Sequence, residues 1–189
     1  MNKIVLIFIL IFSIQCKSQN NVIDLKDRCN HSPLNRNDGN LYTKDISNIY
    51  DPFIGVWKWI SGNREMTLTL IKQNKYQYQS GITNYYEDRL VGYYVYKENG
   101  ITLIDTSGDN LMQNYVRVLF GIYCNGTVGS DVFEDVKKEK NFSVKLETLS
   151  PTQMKFTGKV GEGTYHIGRT LTNVYLGSTF PLEMVFTKQ

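Results

Sequence analysis

The sequence predicts an all-β fold, a single antiparallel barrel of about eight or nine strands behind a polar N-terminal arm. Three observations carry this. From Asp45 onward the chain is a series of short apolar and aromatic runs, and Gly, Asn and Asp punctuate it at intervals that suit hairpins. Several runs alternate with period two, and none of the region shows a long helical period.

Taken from the start, residues 4–14, "IVLIFILIFSI", form an apolar run behind Lys3, the pattern of a secretory signal and too short to span a bilayer. We expect residues 1–15 to be that signal and the protein to be exported. "SIQCKSQ" permits two cleavages. One precedes Cys16 and leaves its thiol for lipid. The other follows Ser18, with small residues at Cys16 and Ser18. The place of Cys16 at the end of the apolar run favours a lipid anchor at the cell envelope; the second cut would give a soluble secreted or periplasmic protein.

Residues 16–44 are polar and Asn-rich, and the composition reads as a tether. Cys29 lies in this arm and Cys124 in the body. Two thiols in an oxidising compartment favour a disulfide, and the lack of His or Cys at ligand spacing argues against a metal site. The formal charge of +3 falls by one to +2 once Lys3 is removed, and no basic stripe marks a nucleic-acid binder.

The domain proper is expected over residues 45–189. Asp51-Pro52 turns the chain into "FIGVWKWISGN", where Phe53, Gly55, Trp57 and Trp59 share one face. Trp57 suits a barrel floor because an indole fills volume while its N–H finds a partner, and Gly55 lets another segment approach. In "MTLTLIK", Met66, Leu68 and Leu70 oppose Thr67 and Thr69. "RLVGYYVYK", "YVRVLFGIY" and "PLEMVFTK" are apolar on both faces. Asn99-Gly100 marks a tight hairpin, and Phe142–Leu149 with Thr152–Val160 marks another through Ser150 and Pro151.

"YDPFIGVWKW" resembles the opening of lipocalin-like, calycin-type barrels, in which a turn leads into a first strand bearing Gly-x-Trp. "YTKDISNIYDPFIGVWKWISGN", "YYEDRLVGYYVYKENG" and "PLEMVFTKQ" are similar to an uncharacterised family of small exported bacterial lipoproteins. That resemblance implies a compartment and no activity. The lipocalin likeness implies an Arg from a late strand over Trp57, for which Arg169 in "YHIGRTL" is the candidate.

No reaction is written in the motifs. His31 and His166 lack a Ser or Cys partner, the glycines of "GKVGEGTYHIG" lie between strands, and "DTSGDN" lacks the closing Glu of a calcium loop. Glu87, Asp88, Glu134 and Asp135 read as solvated loop carboxylates rather than an acid pair. No catalytic residue, metal or cofactor is expected. The Tyr enrichment is the one functional hint: Trp59, Tyr93, Tyr94 and Tyr96 are candidate contacts for a small apolar or amphipathic ligand or an envelope protein.

Overall fold

A computed structural model of the chain describes residues 21–31, 33–159, 164–167, 170–173 and 177–189. The arm contains β1 (Asn21–Asp24), a 3-10 segment over Leu25–His31, and β2 (Leu41–Lys44). A 3-10 turn, Asp51–Phe53, leads into β3 (Gly55–Ser61), followed by β4 (Arg64–Ser80), β5 (Thr83–Glu98), β6 (Ile101–Asp105), β7 (Val118–Ile122) and β8 (Val128–Asp135). Then come β9 (Lys140–Asn141), β10 (Ser143–Ser150), β11 (Gln153–Lys159), the hairpin of β12 (Thr164–Ile167) and β13 (Thr170–Asn173), and β14 (Glu183–Lys188).

Eight of these strands close into an antiparallel barrel in the order β5-β4-β3-β14-β11-β10-β8-β7, with β7 returning to β5 through Leu90–Phe120 and Val91–Leu119. Closure leaves no free edge in the ring. Asn99 (φ 52°) and Gly100 (φ 74°) form the β5–β6 turn, the left-handed pair that a two-residue hairpin needs.

One edge of β5 is shared by three strands. β2 pairs with it in parallel at Tyr86 and Glu87, β7 at Leu90 and Val91, and β6 from Val95 to Glu98. β4 and β5 therefore run on past the barrel as a long hairpin, which bends at a bulge between Gln73 and Tyr76, where Lys75 takes a φ of 51°.

The period-two faces explain the core. Trp57 and Trp59 of β3, Met66, Leu68 and Leu70 of β4, Tyr94 and Tyr96 of β5, and Met184 and Phe186 of β14 are all buried in one cluster. In β8 the inward set changes from Val128 and Ser130 to Phe133 and Asp135, because a register shift opposite Leu119 and Phe120 inserts one residue. Phe180, just before β14, packs on Tyr94, Tyr96, Phe133 and Phe142 with ring centroids 5.5–6.0 Å apart. Asp135 fixes this ring from the neighbouring residue, accepting from Thr179 N at 2.7 Å and Thr179 Oγ1 at 2.8 Å.

The arm differs from the tether its composition suggests. β1 pairs with β2 and β2 with β5, so residues 21–24 and 41–44 add two parallel strands beside the barrel. Few apolar side chains are needed, because backbone pairing and buried carboxylates hold the arm in place.

Candidate functional site

Asp88, on the inward side of β5 just above the bulge, is 1% exposed. It accepts from Tyr42 Oη (2.7 Å), Asp45 N (3.0 Å) and Lys75 N (2.7 Å), thereby joining arm, turn and hairpin. Asp45, also buried, accepts from Ile49 N and Tyr50 N and pairs with Lys72 Nζ at 2.8 Å. Burial raises the Tyr42 phenol far above its ordinary value, and the Asp88 carboxylate raises it further. Burial opposes the Lys72 charge, yet Asp45 and Asp51 outweigh it and hold its pKa above the usual range.

These carboxylates are occupied in structure, which corrects the expectation of solvated loops. Asp88 and Asp135 are almost fully buried, and Glu87 is 8% exposed and pairs with Arg28 at 3.5 Å. Only Glu134 stays partly in solvent, 3.4 Å from Arg117. The sequence concealed this because most of the donors, backbone N–H groups and side chains alike, lie on distant segments. Among the described residues no group of three or more His, Cys, Asp or Glu is placed to hold a metal.

Trp57 lies where β3 leaves the 3-10 turn. Its ring is fully buried and Nε1 donates to Phe53 O at 2.7 Å, so the turn caps its own strand. Gly55 has a φ of +126°, and a Cβ there would lie 3.1 Å from Lys188 Cε. The Lys188 ammonium, from the last strand, sits 5.2 Å over the Trp57 ring. Arg169, the residue expected over Trp57, lies outside the described residues, as does Cys16.

Trp59, Tyr94 and Tyr96 point inward: Trp59 is 9% exposed, and the other two pack against Phe180. Burial drives the Tyr94 phenol well above its ordinary value, and its hydroxyl donates to Glu134 O at 2.7 Å. These rings offer no outer surface to a partner. Tyr93, on the outer face, is half-buried.

The structure instead forms a cleft outside the barrel, of about 800 Å³, between the arm and the long hairpin. Its hairpin wall is Tyr78, Tyr85 and Glu87, which share a face because Tyr78 pairs with Tyr85 and Tyr76 with Glu87. The Tyr78 and Tyr85 rings stack at 5.0 Å and 15°. Leu119 of β7 contributes an apolar patch. The arm wall is Arg28, Pro33, Leu34 and Arg36, and Cys29 fastens it to Cys124 in the β7–β8 turn, with Cα atoms 5.7 Å apart.

Arg36 lies over the Tyr85 ring at 5.1 Å. On the same face, two residues beyond Glu87 and outside the cleft lining, Arg89 is 1% exposed, its guanidinium 3.2 Å from the Tyr76 ring centroid and 5.5 Å from that of Tyr78. Arg89 donates to Gln73 Oε1 and to the carbonyls of Leu111 and Gln113. The Cys29–Cys124 pairing was expected from the sequence, and it places Arg28 beside the β7–β8 turn. Arg36 gave no signal of its own.

No curated protein and no solved structure matches the chain. Residues 1–189 match the family of unknown function DUF6705, and the chain belongs to that family.

Proposed function

We propose that this is an exported, lipid-anchored binding protein whose small amphipathic ligand occupies the cleft between arm and hairpin, outside the barrel. The cleft itself carries the reading: it offers stacked phenol rings, aliphatic surface and guanidinium groups within about 800 Å³, the size and mixed chemistry of small-molecule sites. The barrel interior supports an external site, since its inward rings are buried against one another and against Phe180. The lipid anchor rests on Cys16 at the end of the apolar run. A binding role also suits carboxylates that are committed to donors of the fold itself rather than to a substrate.

Native mass spectrometry of protein purified from its own host tests this directly. The expected result is a lipidated N-terminus together with a small bound mass that is lost in Tyr85→Ala, whose folding is checked by circular dichroism. A protein that carries no adduct, or one that Tyr85→Ala retains at full occupancy, would remove the cleft from consideration.

A further inference from the structure

Resting on that reading of the cleft, we infer that its ligand is an anion attached to a flat or apolar body, such as an aryl or acyl phosphate or carboxylate. Charge leads to this. Arg28 and Arg36 line the cleft and Arg89 adjoins it on the hairpin face, three guanidinium groups against the one lining carboxylate of Glu87. Arg28 already faces that carboxylate at 3.5 Å, so the remaining positive charge belongs to Arg36 and Arg89.

Neither of these two has a carboxylate partner among the described residues. Arg36 sits 5.1 Å over the Tyr85 ring and makes no side-chain hydrogen bond or ion pair among the described residues, so its N–H groups are available for a planar, bidentate acceptor. Arg89 is buried among neutral acceptors, and its Nη1 is without a hydrogen-bond partner. A buried cation without a counterion favours any anion that approaches it, because little water screens the attraction. The phenol rings of Tyr78 and Tyr85, with Leu34 and Leu119, give the body of such a ligand a flat, apolar wall.

The test is nuclear magnetic resonance titration of the folded, oxidised protein with three probes: phenyl phosphate, phenol and inorganic phosphate. Phenyl phosphate is expected to shift the resonances of Tyr78, Tyr85 and Leu119 and to bind at least about tenfold more tightly than either fragment, the scale of a charge-assisted bond added to a stacking contact. Arg36→Gln should lower phenyl phosphate affinity about tenfold while leaving that of phenol unchanged. Equal binding of phenol and phenyl phosphate would overturn the anion assignment yet leave a ligand cleft standing. Loss of both affinities together in Arg36→Gln, with the barrel resonances unmoved, would make Arg36 a support for the wall and also overturn it. If no probe perturbs these residues, the anion inference falls, and the mass measurement above decides the binding reading separately.

Discussion

The barrel and the arm reach similar burial by opposite means. Inside the barrel, Trp57, Phe133, Phe156 and Phe186 are excluded from water by one another, and each large apolar side chain so buried stabilises by about 1.5–3 kcal/mol. Among the described residues of the arm only Ile23, Leu25, Leu41 and Tyr42 are buried hydrophobics. Strand pairing, Asp45, Asp88 and a cross-link over 95 residues do the rest. Apolar packing is cooperative and spread over the whole ring. The arm's fastenings are few and separate, so they can be lost one at a time, and the arm should open without the barrel unfolding.

The largest effect should come from the barrel. Phe133→Ala removes a ring in contact with Tyr94, Phe120, Phe156 and Phe180 and should cost about 3–5 kcal/mol in denaturant unfolding, lowering amide protection in barrel and arm together. Joint Cys29→Ser and Cys124→Ser replacement should cost about 2–4 kcal/mol, the usual yield of a cross-link closing a long loop. Here hydrogen exchange should rise most in β1 and β2. Equal loss of protection in β10 and β11 would break the contrast between the regions.

Asp88→Asn should come next, at about 2 kcal/mol, because an amide N–H₂ replaces an acceptor facing three donors, two of them buried. Its exchange pattern should resemble that of the cysteine pair, with β2 exposed and β11 intact. Alkali provides a gentler probe. The Tyr42 and Tyr94 phenols titrate higher in the folded protein than in the unfolded chain, so above pH of about 10 the unfolded state releases protons that the native state keeps. Stability is thus fully present below that pH and declines as pH rises, by at most about 1.4 kcal/mol per unit for each phenol. Unfolding midpoints followed between neutral pH and pH of about 11 should stay level and then fall; a rise there would contradict the burial of both hydroxyls. Smallest of all, Lys188→Met keeps the packing stem beside Gly55 and removes the charge over Trp57, for about 0.5–1 kcal/mol in thermal unfolding.

The same contrast explains what the sequence disclosed. The barrel was legible because its signals are local: the alternation of Met66, Leu68 and Leu70, the Asn99-Gly100 turn and the Phe53-to-Trp59 face each fix strand or register within a few residues. The arm was not, because its order depends on partners far along the chain. Thr43 meets Glu87, and Asp45 N meets Asp88, across about forty residues that no periodicity connects. Which way the candidate contacts Tyr94 and Tyr96 face was hidden for a related reason. β5 is apolar on both faces, so alternation alone could not tell which side of the strand faces in. The cleft inherits this difficulty, since one wall belongs to each region.

Chain order carries one more implication. β14 pairs with β11 on one side and β3 on the other, yet of the eight ring strands it comes last in chain order. Until Glu183–Lys188 is delivered the tube is an open curved ribbon, with its two rims waiting for the same short piece. A chain broken off before that piece would present both rims to its neighbours, and self-association through them, rather than a loosened monomer, is the failure such a product should show.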